Sequence, residues 1–387
     1  MSNWRTRNLW ALSLVSLAQD AASELLYPLM PILLTSVLGA PVVVVGAIEG
    51  VAEGAAALTK LVSGKLSDRI RRRPLIFIGY GAAAVGKIII ALALVWPVVL
   101  LGRVIDRLGK GVRSAPRDAM LVENVEKVDR GKAIGFHRAA DTLGAVIGPL
   151  LGLLALSAYH GNIRKALWIA VIPAVLSVVF VFFAHDSRPK ISKSEDFPDP
   201  VPLPARLKRL ILVLAIFGLA NFPDALLLLR VHEVGFSVTG VVVAYVLFTI
   251  SYAILAFPAG ALSDHLPRHI VYSIGLFCFG FAYLGLALTK SHVAVILLLV
   301  LYGGFAACND AVGKAWVSTL APDNAQGWAQ GLFQGVTGGA ILVAGIWAGL
   351  TWNLGSGSGA VPLMISGVIG FIVAGLLVGG RLVKREP

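Results

Sequence analysis

Long apolar stretches, separated by short turns that contain charged residues, glycine or proline, run through the whole chain. A helix needs about 20 apolar residues to cross the hydrocarbon core of a bilayer, and the sequence contains twelve runs near or above that length. These runs are residues 8–36, 41–62, 74–95, 97–118, 132–158, 163–184, 207–230, 236–261, 269–289, 292–316, 327–350 and 359–382. The pattern predicts an all-α integral membrane protein with twelve membrane-spanning helices.

A polar stretch interrupts this pattern near the middle of the chain. From Asp186 to Arg206, charged residues are mixed with five prolines, and a segment of this composition neither spans a membrane nor continues a helix. We therefore expect a linker at residues 186–206, between an N-terminal bundle at residues 1–185 and a C-terminal bundle at residues 207–387. Each bundle would contain six of the predicted helices.

The two halves share short repeated phrases. Residues Gly64–Arg69 read Gly-Lys-Leu-Ser-Asp-Arg, and a weaker copy, Gly-Ala-Leu-Ser-Asp, begins 196 positions later at Gly260. Asp106 and Asp310 form a second parallel, because glycine and lysine follow each of them three and four positions on. A repeated charged turn between membrane helices predicts a transporter built from two like bundles.

The composition supports a membrane location. Hydrophobic residues make up 57% of the chain, charged residues make up 14%, and the mean hydropathy is +0.82. The formal net charge of +12 comes from basic residues in the short turns, which is typical of the positive-inside rule rather than of nucleic-acid binding. We expect a multi-pass protein of the cell membrane (plasma or inner) with both termini cytoplasmic and no nucleic-acid partner.

The sequence argues against an enzyme and against a bound metal or cofactor. Cys278 and Cys308 both lie within apolar runs and have no metal-ligand or disulfide spacing. The chain contains no nucleotide-binding loop, zinc motif or nucleophile elbow. A receptor or enzyme that transports nothing is therefore disfavoured.

Ionisable side chains within the apolar runs are the candidate functional groups, because charges at membrane depth are costly and mark transport pathways or proton relays. The candidate proton-binding carboxylates are Asp20, Glu24, Glu49, Glu53, Asp106 and Asp141. Burial raises the pKa of a carboxyl group and a nearby arginine lowers it, so a carboxylate under both influences can titrate near neutral pH. The alternative is that most of them only neutralise Arg103, Arg107 and Arg138.

A second group of polar residues is expected to line a substrate cavity. Its members are Arg103, Arg107, Lys110, Arg138, Asp224, Asp310 and Gln334. Arg107 has two possible roles: it can release a proton from a neighbouring acid, or it can bind an anionic substrate together with Lys110 and Arg103. The sequence leaves both roles open.

Several of these motifs resemble signatures of the major facilitator superfamily. In the turn between the second and third segments, the matching residues are Gly64, Leu66, Asp68, Arg69, Arg72 and Arg73. The fourth segment contributes Arg107, Lys110 and Gly111, and the fifth contributes Gly144, Gly148, Pro149 and Gly152. Lys110 replaces the glutamine usual in the second motif, and Leu153 replaces the final glycine of the third, which is associated with antiporters. The end of the first segment, residues 24–31, is similar to that of drug-exporter-type members.

The resemblance implies the major facilitator fold, in which twelve transmembrane helices form two pseudo-symmetric six-helix bundles. It also implies a set of residues that control the conformational switch. These are Gly64, Asp68, Arg69, Arg73, Gly144, Gly148, Pro149, Gly152, Gly260 and Asp264. The charged turn would latch one face of the transporter, and the glycines of the fifth segment would pack tightly and suppress leak.

The leading functional hypothesis is a monomeric, proton-coupled antiporter that exports a small, amphipathic molecule by alternating access, with protons and membrane lipid as its other partners. The alternative is a proton-coupled symporter or exchanger for a polar anion, which the basic residues of the fourth segment favour. The carboxylates also admit a metal cation as the substrate, although the lack of methionine and histidine clusters argues against a soft metal.

Overall fold

A computed structural model of the chain describes residues 6–67, 71–123, 125–126, 129–185, 203–322, 326–355 and 357–380. Throughout this described part, all regular secondary structure is helical and no strand occurs. The linker expected at residues 186–206 falls almost entirely outside it. The chain divides into two compact units, one formed by Met1–Ala40 and Val51–Glu195 and the other by Pro41–Gly50 and Asp196–Pro387.

The first unit contains six helices, apart from the start of the second of them. They are α1 (Arg7–Leu26), α2 (Val42–Ser67), α3 (Arg72–Leu92), α4 (Trp96–Val122), α5 (Arg130–Ala158) and α6 (Ile163–Val181). The start of α2 lies in Pro41–Gly50 and groups with the second unit. Within the first unit, α3 packs along α4, and α1 packs along α5 and α6.

The second unit contains seven further helices. They are α7 (Ala205–Gly218), α8 (Asp224–Glu233), α9 (Val238–His265), α10 (Arg268–Leu288), α11 (His292–Leu320), α12 (Gln326–Leu350) and α13 (Ala360–Val378). Here α10 packs against α11 and α13, and α9 packs against α11. Stacked and edge-on aromatic rings from α7, α10 and α11 fill its interior, including Phe217, Phe279 and Phe305.

Polar side chains cap the ends of several helices. Thr6 accepts a hydrogen bond from the backbone at the start of α1, and Asn162 does the same at the start of α6. Arginines satisfy the opposite, carbonyl ends of α3 and α10: Arg164 donates to the carbonyl just after α3, and Arg230 donates to Leu286 O and Ala287 O. Capping matters here because lipid offers no partner for an unpaired backbone group.

The first predicted segment and the seventh are not continuous α-helices. After Leu26 the chain passes through a 3₁₀ turn that contains Pro28, and proline removes a backbone donor. The seventh segment breaks after Gly218 and resumes at Asp224, because Pro223 excludes an α-helical conformation at the residue before it. Apolar periodicity does not reveal such breaks, since the residues on either side remain hydrophobic.

Nine helices of the described part are long and apolar enough to cross a membrane: α2, α3, α5, α6 and α9 to α13. The first helix carries several polar residues, α4 is too highly charged, and α7 and α8 are each too short. These exceptions contain seven of the thirteen residues predicted to bind protons or to line the substrate cavity, and polar groups of this kind lower the hydropathy of a helix.

Candidate functional site

The centre of the candidate site in the first unit is α4, which carries six charged residues between positions 103 and 117. Proline follows Trp96 at the start of this helix, where its missing N–H costs nothing. The charged residues recur every three or four positions, so many of them share a face of the helix. The structure brings different members of this set to α2, α3 and α1.

Asp106 lies in a buried cluster between α3 and α4. Lys87 Nζ is 3.0 Å from Asp106 Oδ1, and Arg103 NH1 is 3.5 Å from Asp106 Oδ2. All three side chains are buried, and the Arg103 guanidinium lies 5.6 Å from the centre of the Tyr27 ring. Lys87 was not among the predicted site residues, although a single lysine within an apolar run was a usable signal.

Glycines let α3 and α4 approach closely enough for this cluster. A methyl group added at Gly86 would lie 2.5 Å from Gly102 O, and one added at Gly79 would lie 2.7 Å from Gly109 O. Each added methyl group would therefore collide with the backbone of the facing helix. The two glycine pairs lie on either side of Asp106, so this carboxylate is sealed between two closely packed backbones.

The ion pair between Glu53 and Arg107 joins α2 to α4 and is more accessible. Arg107 NH2 lies 3.1 Å from Glu53 Oε1, and the Glu53 side chain is 43% exposed. Lys110, partly buried, lies one turn further along α4. Glu49, one turn before Glu53, is buried and belongs to the segment that groups with the second unit.

Asp20 and Glu24 lie on α1 and are both partly exposed. The glycine stripe of α5 packs against this part of α1: a methyl group at Gly144 would meet Leu17 O, and one at Gly148 would lie 3.0 Å from Glu24 Cβ. Contact at Gly152 is looser, with Leu25 atoms 3.6 Å from the position of an added methyl group. Pro149 is buried beside the stripe.

Asp141 and Arg138 lie on α5, but in different surroundings. Arg138 is exposed. Asp141 is largely buried, and its Oδ1 lies 3.6 Å from Nε2 of His137, one turn earlier. Hydroxyl groups of α1 and Arg117 of α4 surround this histidine. Ser16, which contacts His137, was not a predicted site residue, because serines within an apolar helix are too common to stand out.

In the second unit, Asp224 begins α8 immediately after the break in the seventh segment. Its Oδ1 accepts a hydrogen bond of 2.6 Å from the Tyr302 hydroxyl on α11. Phe248 stacks on the Tyr302 ring with 5.4 Å between ring centres. Gln334 is partly buried on α12. The side chain of Asp310 lies outside the described residues.

The charged turn between the second and third predicted segments, which carries one of the family motifs, lies mostly outside the described residues. Asp68 and Arg69 lie outside the described residues, as do the surroundings of Gly64 and the side chain of Asp264. Arg73 donates a hydrogen bond of 2.9 Å to Phe182 O at the end of α6, and no atom would meet a methyl group added at Gly260 within 4 Å. The roles of these residues in a conformational switch stay predictions.

The described residues contain no group of three or more histidine, cysteine, aspartate or glutamate side chains placed to hold a metal ion. The functional groups of the site are charged side chains. Its carboxylates and cations form both a buried pair, Lys87 with Asp106, and a partly exposed pair, Arg107 with Glu53. Such an arrangement can bind protons or a charged solute, which is the chemistry of a membrane transporter.

Comparison with known proteins defines the class. The Major Facilitator Superfamily model matches residues 12–229 and again residues 210–387, so the chain belongs to this family of membrane transporters. Over 376 residues it is 31% identical to an uncharacterized MFS-type transporter of Methanocaldococcus jannaschii, with 94% of each chain covered. The chain is thus a multi-pass membrane transporter for a small molecule rather than an enzyme.

Two further similarities are less specific. Over 132 residues, the chain is 30% identical to a triacylglyceride transporter of Mycolicibacterium smegmatis, covering 34% of this chain and 23% of that protein. The crystal structure of the nucleoside transporter NupG superimposes with a TM-score of 0.79 at 13% identity, covering 97% of this chain and 99% of that one. An identity this low shows the shared fold alone.

Proposed function

We propose that this protein is a proton-coupled antiporter that exports a small, amphipathic molecule by alternating access. The observation that carries the proposal is the ion pair between Glu53 and Arg107. Its 3.1 Å separation links α2 to α4, and the Glu53 side chain is 43% exposed while the Arg107 side chain is largely buried. In the proposed mechanism a proton binds the Glu53 carboxylate from this exposed side, and the cation stays in its place.

Protonation of Glu53 would cancel its charge and break the pair, and Arg107 would then need another partner. Because a ligand shifts an equilibrium only through its different affinity for two states, a proton that breaks this contact favours the state in which α2 and α4 are not paired. The sealed Asp106 cannot serve in the same way, since two cations hold it and water does not reach it. Asp20, Glu24 and Asp141, which are partly exposed, are the other proton-binding candidates.

An amphipathic substrate is supported by the apolar character of the second unit. Between α7, α12 and α13 lies an open groove of about 550 Å³ whose lining residues are all apolar or aromatic. A relative of part of this chain is named a triacylglyceride transporter. Asp224, Asp310 and Gln334 would supply the polar contacts in this half, and Arg103, Arg107, Lys110 and Arg138 those in the other.

The membrane arrangement that we propose has twelve crossings. Nine described helices are candidate spans, and the remaining three would be the first segment, α4, and α7 together with α8. Residues 1–185 and 207–387 would form the two bundles, joined by residues 186–206. Basic residues of the short turns orient the chain with both termini in the cytoplasm of the cell, and the transporter acts as a monomer.

A symporter or exchanger for a polar anion is the second candidate. The observation in its favour is that Arg107 Nε and Arg113 NH1 are buried without a hydrogen-bond partner among the described residues. A guanidinium has five N–H donors and matches carboxylate or phosphate groups well. An anionic substrate would satisfy these two donors.

The test is proton movement in liposomes that contain the purified protein. With an imposed pH gradient, lumenal pH is followed while lipophilic cations, organic anions and divalent metals are added one class at a time. We expect one class to collapse the gradient in the antiport direction. Glu53→Gln should reduce the initial rate by about 100-fold or more, the effect expected when a proton-transfer group is removed.

The matched control is Glu126→Gln, which changes an exposed carboxylate in a turn and should leave the rate unchanged. If only anions act, and protons move in the same direction as the anion, the symporter replaces the antiporter. If no class moves protons, or if Glu53→Gln behaves like the control, the proposal is wrong.

A further inference from the structure

A buried polar network joins four helices of the first unit around the hydroxyl of Ser16. Arg117 NH1 donates to Ser16 Oγ at 2.9 Å, and the same oxygen lies 3.3 Å from the Tyr80 hydroxyl and 3.5 Å from His137 Nε2. Ser13 Oγ lies 3.4 Å from the other ring nitrogen, Nδ1. The network ends at Asp141, whose Oδ1 is 3.6 Å from His137 Nε2.

The imidazole of His137 is free to adopt either neutral tautomer. A neutral ring has one N–H donor and one acceptor nitrogen, and both of its nitrogens here face a serine hydroxyl, which can donate or accept. Both tautomers are therefore satisfied by the same partners. His232 shows the contrasting case, because its Nδ1 lies 2.9 Å from Phe236 O, and a carbonyl oxygen only accepts.

Charged groups of α1, α4 and α5 interact with the network. Arg117 of α4 and Arg138 of α5 act on it electrostatically, Asp141 lies on the same helix, and Asp20 of α1 and Asp118 of α4 interact with Asp141 and Arg117 respectively. The two arginines oppose a further positive charge nearby. The ring is thus suited to pass a proton while staying neutral, not to store one.

Water has little access to the middle of this network. Ser13, Ser16 and His137 are all buried, and Tyr80 belongs to an apolar cluster that includes Leu12. A proton that moves along this part of the unit therefore needs side chains to carry it. On α1 the network contains Ser13 and Ser16, which are three residues and so about 4.5 Å apart along that helix.

We propose that His137 is a proton-transfer residue that connects Asp141 to Ser13. The inference rests on the proposed proton coupling for its purpose, but the relay itself depends only on the geometry of this network. It assigns to α5 a second participating side chain, beside the carboxylate, and explains why hydroxyl groups occur at both ring nitrogens.

In the forward step, protonated Asp141 gives its carboxyl proton to His137 Nε2 while the Nδ1 proton leaves for Ser13 Oγ. The Ser13 hydroxyl proton passes at the same time to a water molecule that enters beside Ser13 for this step, so the serine and the ring both end neutral. One O–H bond is lost at Asp141, one N–H bond replaces another on the ring, and the ring changes tautomer. The 3.6 Å gap must close by several tenths of an ångström for this transfer, because hydrogen bonds of this kind are about 3 Å long.

The site is tested without any substrate by solid-state NMR of the full protein in lipid, with ¹⁵N-labelled histidine. The resonances of His137 are assigned from their absence in His137→Gln. We expect both neutral tautomers of His137, and a single Nδ1–H tautomer for His232. Ser13→Ala removes the partner of Nδ1 and should leave only the Nε2–H tautomer of His137. A single His137 tautomer that Ser13→Ala does not change would overturn the relay.

The role is tested in liposomes with tetraphenylphosphonium as the probe. In His137→Gln, uptake driven by a pH gradient should fall about 100-fold, while exchange of labelled for unlabelled probe at equal pH stays near the wild-type rate. His232→Gln is the matched control and should change neither rate. Equal loss of both activities in His137→Gln would show a structural role and refute the proposal. If the wild type moves no probe at all, the proposed export of a lipophilic cation fails, and the tautomer measurement alone decides the relay.

Discussion

The helix pair α3–α4 in the first unit and the pair α10–α11 in the second occupy equivalent places in the chain but are held together differently. Their first residues, Arg72 and Arg268, are 196 positions apart, and so are Trp96 and His292. At that offset, Lys87 and Asp106 correspond to Tyr283 and Tyr302. One unit thus places a buried ion pair where the other places two tyrosines with ring centres 5.8 Å apart.

The glycines also differ between the α3–α4 pair and the α10–α11 pair. The four glycines that bring α3 and α4 together, at positions 79, 86, 102 and 109, correspond to Gly275, Ala282, Leu298 and Phe305. At three of these four places the second unit has a larger residue, and aromatic rings pack between α10 and α11. The acid of this region comes from α8 instead, where Asp224 accepts from Tyr302. The comparison shows that one backbone arrangement supports either a charged or an aromatic interior.

The largest effect on this comparison should come from Asp106→Asn. It leaves Lys87 buried without the carboxylate that it contacts at 3.0 Å, which should reduce the free energy of unfolding by about 3–5 kcal/mol. Adding Lys87→Met should restore a large part of the loss, because the buried cation that has lost its partner is then removed. Thermal unfolding of the purified variants in detergent measures both effects.

The outcome that would contradict this account is a double variant no more stable than Asp106→Asn alone. In that case the carboxylate does not serve mainly to neutralise Lys87. Lys87→Met by itself should cost less than Asp106→Asn, since it leaves Arg103 and Asp106 as a neutral pair 3.5 Å apart.

A smaller effect is expected from Tyr302→Phe in the second unit. It removes the phenol that donates to Asp224 at 2.6 Å, and hydrogen bonds to charged groups contribute about 1.5–3 kcal/mol. Tyr272→Phe is the matched variant, because this phenol of α10 donates at 2.7 Å to an amide, Asn309 Oδ1 of α11. Its loss should be nearer 1 kcal/mol. Equal losses in unfolding experiments would mean that the Asp224 carboxylate is not acting as an ionised acceptor.

The smallest effect, and one that differs in sign between two sites, concerns the glycines of α3. Gly86→Ala would place a methyl group against Gly102 O and should destabilise the protein by about 1–2 kcal/mol. Gly81→Ala on the same helix meets nothing within 4 Å and should be neutral or stabilising, by up to about 1 kcal/mol. Unfolding midpoints compare the two, and similar midpoints would show that α3 and α4 are not in close contact.

Helical segments and family membership were accessible from the sequence, since hydrophobicity over about 20 residues depends little on context. The structure confirms an all-helical membrane fold of the Major Facilitator Superfamily, and nine described helices satisfy the requirements for a membrane span. The breaks after Leu26 and Gly218 were not predicted. A proline within an apolar run can be tolerated or can end a helix, and the neighbouring helices decide which.

The repeat was detected but aligned wrongly at one place. Asp106 was paired with Asp310, 204 positions on, because both precede glycine and lysine. The first residues of α2, α3, α4 and α5 precede those of α9, α10, α11 and α12 by 196 positions, which matches Asp106 with Tyr302 instead. A three-residue phrase is too short to establish register when the repeated units differ in their side chains.

The carboxylates and arginines of the first half stood out in the sequence, because each is unusual within an apolar run. Their pairing did not. Asp106 pairs with Lys87 of α3 as well as with Arg103 of its own helix, and Glu53 is more exposed than Asp106. Both facts depend on which helices face each other. The proton-binding and switching roles of these residues remain predictions for the experiments above.

The amino-acid sequence by itself determined that this protein is helical, lies in a membrane, contains a repeat and concentrates charge in its first half, because composition and local periodicity do not depend on long-range contacts. Only the tertiary structure decided which charged side chains are buried, which are partly exposed, and which hydroxyl groups surround His137. These properties depend on distances of a few ångströms between residues that are far apart in the sequence. Ser16 with Tyr80, and Ser13 with His137, are two such pairs. Side-chain packing between helices sets such distances, and no local pattern along one helix encodes them.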